Sequence, residues 1–445
     1  MSPRSFLAAS LLISSMMLPS TTYAGEFDVC EAALKQGWRQ GEEDRIFYYM
    51  DFKFNPLPGS VFTELDRLFS ALKKRGVEPI VLAVPTPAHV NARYVKKLPE
   101  DAWDASQADA IYNAVRARLS RNASVVDVLK VAQTSKDAFY YKRDYHWTVA
   151  GARETAFATA QLIKTHPAYA KLPRVESKAE VISTKTYDSS GYSISVGELC
   201  KRPMSHEQAP RVESRRLTAP APVAIIEAAP VPSITVVGSS FMEPVRGFSP
   251  YLMETTQAEV LTLFLNGGQT LGALLGYLRS EEFQKTPPQY LVWEVPLLLL
   301  GAPPGSVQGS TAFQDPLIYR QLIASVEGSC SGPKVALSGR FTLAGAGPQV
   351  LMENSDPKAL SANTHILELR MDIPTQDTFQ VETEFSDGTV DVYPFVNHKR
   401  VTSKGRFYLS YPAESEAVIK KISVSTPQGY TGGMTGRLCS LGGPP

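Results

Sequence analysis

The chain of 445 residues carries Lys+Arg 45 against Asp+Glu 44, and 43% of it is hydrophobic, enough for two or three domains with real cores. So even a balance argues against non-specific adhesion to nucleic acid or bilayer, while a local basic patch for an acidic glycan stays open.

The N-terminus bears on the compartment. Arg4 precedes an apolar run from Phe6 to Leu18, and small residues lead to Thr22-Tyr23-Ala24. That order predicts a secretory signal over residues 1–24, cleaved near Ala24. No later stretch is apolar for long enough to be a membrane helix; Tyr290 to Gly301 is short and holds Glu294 and Pro296. The mature protein is therefore expected to be exported and soluble.

From Glu26 to Pro303, helices alternate with apolar strands. Ser60 to Gly76 is read as an amphipathic helix, with Val61, Phe62, Leu65, Leu68, Phe69 and Leu72 on one face, Ser60 as N-cap and Gly76 as terminator. Pro79 to Val84 is a continuous apolar run ending at Pro85, the pattern of a strand covered on both faces. Ala105 to Leu119 predicts a second helix, Ser124 to Leu129 a strand, and Thr148 to Lys164 a third helix. Ile234 to Val237 and Tyr290 to Trp293 are further buried strands. This alternation predicts an α/β layered fold with a parallel sheet between helices. Lys171 to Pro222 is read as irregular, Ala219 to Pro222 as Pro/Ala-rich, and Gly301 to Ser310 as a linker. After Cys330 the period shortens. Runs at His365–Leu369, Thr378–Val381, Val390–Tyr393 and Arg406–Leu409, separated by turn residues, predict an all-β sandwich.

The four cysteines are Cys30, Cys200, Cys330 and Cys439. None forms a C-x-x-C pair, and an even count in an exported chain suggests disulfides. Three connectivities are possible on sequence alone; the spacing favours Cys30 with Cys200 and Cys330 with Cys439. His89, His166, His206 and His365 show no metal-ligand spacing, so no metal is assigned. No phosphate loop or dinucleotide fingerprint is present, so no cofactor is expected.

Three motifs carry chemistry. In Arg143-Asp144-Tyr145-His146-Trp147-Thr148 a carboxylate two residues before a histidine can hold one ring nitrogen, leaving the other as a base; an N-capping Asp beside a surface His would read the same way. Val236-Val237-Gly238-Ser239-Ser240-Phe241 is a strand entering a small-residue turn, where a serine hydroxyl can be exposed. Leu265-Asn266-Gly267-Gly268-Gln269-Thr270 is a glycine-rich turn that can present amides to an oxyanion, with Asn266 and Gly268 as candidates. Each motif alone fits ordinary loop chemistry. Together they lie at strand ends and a helix start, where α/β sheets place their sites.

The order of R-D-Y-H-W-T before G-S-S-F resembles the SGNH hydrolase-like acetyltransferases of bacterial alginate biosynthesis, the AlgX/AlgJ family. Trp293-Glu294-Val295-Pro296, the four cysteines and the trailing sandwich, similar to a carbohydrate-binding module, extend the resemblance over essentially the whole mature chain. The resemblance implies Ser240 as nucleophile, His146 as general base and Asp144 as its orienting partner; Ser239 stands where the family more often has Asp or Thr, which leaves the choice between Ser239 and Ser240 open, with the G-x-S pattern favouring Ser240. It implies alginate O-acetylation on mannuronate hydroxyls in the periplasm, within an alginate modification and export complex, and an SGNH-like domain over 25–315 followed by a β-sandwich carbohydrate-binding domain over 325–445. A monomer that binds no nucleic acid is expected. Arg246 is a candidate substrate contact. Lys399, Arg400, Arg406 and Tyr408 lie in or beside the densest basic stretch of the mature chain and are candidates for binding an acidic polysaccharide, the cations for its carboxylates and Tyr408 for stacking on a sugar. A polysaccharide acetyl-esterase using the same triad, or a non-catalytic polysaccharide-binding assembly protein, stays open on the residues alone.

Overall fold

The apolar runs Glu78–Val84 and Tyr290–Pro296 lie side by side near the middle of a five-stranded sheet. A computed structural model describes residues 28–52, 57–95, 104–217, 232–267, 269–297, 313, 315–328, 334–335, 340–344, 347–354, 360–372, 379–395, 405–411, 416–426 and 431–440. The sheet order is Ser124–Val126, Glu78–Val84, Tyr290–Pro296, Ile234–Gly238, Val260–Phe264, and every pair is parallel. Parallel strands need helical crossovers, which cover both faces and demand apolar residues throughout. Tyr290–Pro296 and Ile234–Gly238 are accordingly buried at every position. One face packs under Gly59–Lys74, Ala105–Leu119, Thr270–Arg279 and Pro316–Glu327. The other packs under Val128–Thr134, Val149–Thr165 and Phe248–Thr256, where Ala152, Ala156 and Ala160 form a stripe of small, fully buried residues.

Three local expectations change. The first helix begins at Gly59, because the Pro58 carbonyl already accepts the Val61 and Phe62 N–H groups; Pro58, not Ser60, is the N-cap. The strand from Ser124 ends at Val126, because the Asp127 side chain accepts the Lys130 N–H and starts the helix Val128–Thr134. The segment read as irregular holds an antiparallel ribbon, Ser177–Asp188 with Gln208–Arg216, and between its strands the helix Gly191–Cys200. Its charged pairs, such as Glu180 with Arg215, leave no apolar alternation to read. Ala219 to Pro222 and Gly301 to Ser310 lie outside the described residues.

The C-terminal region is all antiparallel. One sheet runs Lys334–Val335, Thr431–Ser440, His365–Met371, Arg406–Ser410, with Arg340–Ala344 also on Thr431–Ser440; the other runs Gln349–Glu353, Ile419–Ser425, Phe379–Phe385, Val390–Phe395. Alternate residues of Phe379–Phe385 are buried, the period-2 pattern of a strand with one face on a core. Phe379 stacks on Phe395 at 4.9 Å between ring centres and meets Phe407 edge-on at 4.8 Å.

The helix Pro316–Glu327 falls between the two regions and is bonded to both. Arg320 reaches Glu64 at 3.3 Å and Asp391 at 3.0 Å, and Gln321 Nε2 donates to the Pro394 carbonyl at 2.7 Å. Arg279, 2% exposed, donates to Gln321 Oε1 at 2.8 Å and lies over the rings of Phe407 and Phe395 at 4.9 and 5.5 Å. Among the described residues, no helix is long and apolar enough to cross a membrane.

Candidate active site

The histidine is carried by a pinned turn. Tyr140 and Trp147 form a β-bridge, and the Thr148 N–H returns to the Phe139 carbonyl at 2.8 Å, so residues between them project together. Trp147, fully buried, anchors this turn against Phe248 and Phe241. The Thr148 hydroxyl caps the following helix by accepting the Gly151 N–H. Gly151 is required there, since a Cβ would come within 2.4 Å of the Phe139 carbonyl oxygen.

The serine is carried by a strand end. Ile234–Gly238 runs into a single 3-10 turn, Ser240–Met242, closed by Met242 N–H to the Ser239 carbonyl. Ser240 therefore sits at the carboxyl end of a central parallel strand, the edge where α/β sheets bind ligands.

The two turns meet. His146 Nε2 lies 2.8 Å from Ser240 Oγ, and His146 Nδ1 lies 2.8 Å from Asp144 Oδ1. All three are buried: Asp144 is 3% exposed, His146 4% and Ser240 6%. Asp144 Oδ2 accepts the Ser189 hydroxyl at 2.9 Å. Burial alone would raise the Asp144 carboxyl, but His146, Arg246 and the Ser189 bond outweigh it and hold it well below its ordinary value. Burial pushes the His146 imidazole down, against the opposing pull of Asp144, so the ring is neutral at neutral pH. A neutral imidazole between an ionised carboxylate and a serine hydroxyl can accept the serine proton. Tyr145 lies against the His146 ring, 4.0 Å between centres, and Phe241 flanks it at 5.0 Å.

The two serines of this turn have different partners. Ser240 faces His146, whereas the Ser239 N–H donates to Glu294 Oε2 at 2.7 Å. Arg246, 7% exposed, approaches Ser189 Oγ at 3.5 Å and lies over Tyr187, which puts it beside the Asp144 carboxylate. Asn266 is exposed, one residue past Leu265, whose N–H donates to the Gly238 carbonyl at 3.1 Å. Gly268 lies outside the described residues. Among the described residues, no group of His, Cys, Asp and Glu could hold a metal ion.

Cys30 and Cys200 form a disulfide with Cα atoms 5.7 Å apart. It ties the end of Gly191–Cys200 to the N-terminal segment, while the start of that helix donates from Tyr192 N–H to the Arg143 carbonyl at 3.0 Å. Tyr192 also donates to the buried Asp51 carboxylate. Cys439 is disulfide-bonded as well; Cys330 lies outside the described residues.

The sandwich candidates fare differently. Lys399 and Arg400 lie outside the described residues, and Arg406 is half-buried at the start of its strand. The expectation for Tyr408 is corrected. It is 1% exposed and packs with Ile366 and Ala324 under the helix Pro316–Glu327, which closes its ring to a sugar.

Two groups have a place at the site that sequence reading gave them no role in. Ser189 lies in the segment read as irregular and carries no local signal. Glu294 stands out only as a carboxylate inside an otherwise apolar strand, a pattern that marks a buried charge in need of a partner.

A parallel α/β sheet with Ser, His and Asp gathered at its carboxyl edge is the arrangement of serine acyl-transfer enzymes on several α/β folds, the SGNH hydrolase-like class among them. Residues 39–297, more than half of the chain, match the family model described as the SGNH hydrolase-like domain of acetyltransferase AlgX, and the chain belongs to that family. Among similar proteins, the alginate biosynthesis protein AlgX of Pseudomonas syringae pv. tomato is 26% identical over 359 residues, 80% of this chain and 72% of that protein. The probable alginate O-acetylase AlgJ of Pseudomonas aeruginosa is 25% identical over 286 residues, 59% of this chain and 68% of that protein. The solved structure of Pseudomonas aeruginosa AlgX shares the fold, with a TM-score of 0.76 at 21% identity, covering 95% of this chain and 99% of that one.

Proposed function

We propose that this chain is an O-acetyltransferase that acetylates mannuronate hydroxyls of alginate in the periplasm, through Ser240, His146 and Asp144. The observation that carries the chemistry is the 2.8 Å contact on each side of the buried His146 ring. The polymer is suggested by the relatives, which are alginate biosynthesis proteins and a probable alginate O-acetylase.

In this reading Ser240 Oγ attacks the carbonyl carbon of an acetyl donor as His146 Nε2 takes its proton. The tetrahedral adduct collapses to an acetyl-serine, and His146 returns the proton to the departing donor group. A sugar hydroxyl then attacks the acetyl carbon, gives its proton to His146, and leaves as the ester while Ser240 regains its hydrogen. Asp144 holds the ring tautomer with Nε2 free and stabilises the transient imidazolium. The Ser239 N–H is engaged by Glu294, so the Ser240 N–H and Asn266 are the proposed oxyanion donors. The domain limits 25–315 and 325–445 belong to the same reading, with Arg246 as a substrate contact and Lys399, Arg400 and Arg406 as polymer contacts.

The test is to incubate the purified protein with a chromogenic acetyl donor and oligomannuronate, and to follow the mass of the oligosaccharide. Acetyl gain that disappears in Ser240→Ala supports transfer. Donor cleavage without gain supports an esterase, in which water replaces the sugar hydroxyl. If wild type and Ser240→Ala behave alike in both assays, the catalytic claim for Ser240 fails, and inactivity of both favours a chain that acts on the polymer by binding alone.

A further inference from the structure

Glu294 takes no part in the proton relay, yet it lies directly under the nucleophile. It is fully buried in the middle strand of the parallel sheet. The register with the serine-bearing strand runs from Ile234↔Tyr290 to Val237↔Trp293, which brings Glu294 level with Gly238. From there Oε2 accepts the Ser239 N–H at 2.7 Å. Oε1 has no partner among the described residues.

The fit around this carboxyl is close. A Cβ on Gly238 would lie 2.6 Å from Glu294 Oε2, so the glycine of the G-x-S pattern makes room for Glu294. The strand end is itself tethered, since Thr270 Oγ1 donates to the Glu294 carbonyl at 2.6 Å and Trp293 Nε1 to Thr270 Oγ1 at 2.9 Å. Ser239 is only 2% exposed. Without Glu294 its N–H would be buried with no acceptor, and the turn would shift to find one. Ser240 Oγ would move with it.

We propose that Glu294 is a positioning residue for acyl transfer, holding the Ser239–Ser240 peptide so that Oγ stays on His146; this rests on the triad reading above. What matters is the reach of an acceptor, not its charge. Gln keeps that reach, Asp keeps the charge but falls short by one carbon–carbon bond, and Leu keeps neither.

The experiment measures kcat and KM for the acetyl donor, and the rate at which a sulfonyl fluoride labels the serine. Wild type, Glu294→Gln, Glu294→Asp, Glu294→Leu and Ser240→Ala are compared, with circular dichroism and melting curves to confirm folding. Glu294→Gln is expected within about threefold of wild type, and Asp and Leu about 100-fold down in kcat and labelling with KM unchanged, the scale of a misplacement near 1 Å. If Leu does not fold, Gln against Asp decides. Asp and Leu near wild-type rates, or Gln as slow as Asp, would overturn the proposal. Ser240→Ala keeps the two claims apart: activity or labelling retained there sinks the triad reading, whatever Glu294 does.

Discussion

Glu294 keeps its proton longer than an ordinary glutamate, because burial outweighs the Ser239 bonds and pushes its carboxyl up to about 7. The unfolded chain releases that proton near pH 4.5, so between about 4.5 and 7 the folded state binds more protons and stability falls as pH rises. Full passage through that window costs about 3 kcal/mol. The histidines slope the other way, since burial depresses His146 and His89 and their protonation destabilises the fold on acidification. Only a difference isolates the glutamate. Urea unfolding of Glu294→Gln and wild type at pH 5 and pH 8 should show the variant gaining about 3 kcal/mol relative to wild type over that interval. A pH-independent difference would mean that the folded carboxyl titrates like an exposed one.

Among the elements, the helix Gly191–Cys200 helps to place the site from outside the sheet. Its first turn holds the Arg143 carbonyl and its last residue is fixed to Cys30 across 170 residues of sequence. Closing a loop that long stabilises by about 5 kcal/mol in the chain-entropy model. The double variant Cys30→Ser, Cys200→Ser should melt well below wild type and label more slowly at Ser240. A melting point unchanged from wild type would mean that the contacts of Tyr192 and the core beneath it hold the helix unaided. This helix was also the least legible part of the chain. Apolar runs such as Pro79 to Val84 and Tyr290 to Trp293 announced the sheet, because strands buried on both faces have no polar alternation to confuse them. Asp144, His146 and Ser240 were readable because they stand in short local patterns. Ser189 and the Ser239–Glu294 bond were not, since each joins residues at least 45 positions apart. Tyr408 misled for a related reason: it follows a basic stretch of sequence, while its burial comes from a helix some 80 residues earlier.

At the scale of the whole molecule, the α/β region and the sandwich are joined by polar groups that neither could bury unpaired cheaply. Arg320 bridges Glu64 and Asp391, and Gln321 links Arg279 to the Pro394 carbonyl. Arg279 is the extreme case. Burial pushes its guanidinium below the ordinary range, and among the described residues it has in place of water the Gln321 amide oxygen of the helix Pro316–Glu327 and two phenylalanine faces of the sandwich. Melting the sandwich alone would strip that cation of both phenylalanine faces and leave only its Gln321 bond. The two regions should therefore unfold as one calorimetric unit, a single heat-capacity peak in differential scanning. Arg279→Ala should lower that peak and split it in two, and two peaks already present in wild type would argue against the coupling. On this account a buried cation, seconded by Arg320 and Gln321, would give two different folds one shared melting temperature.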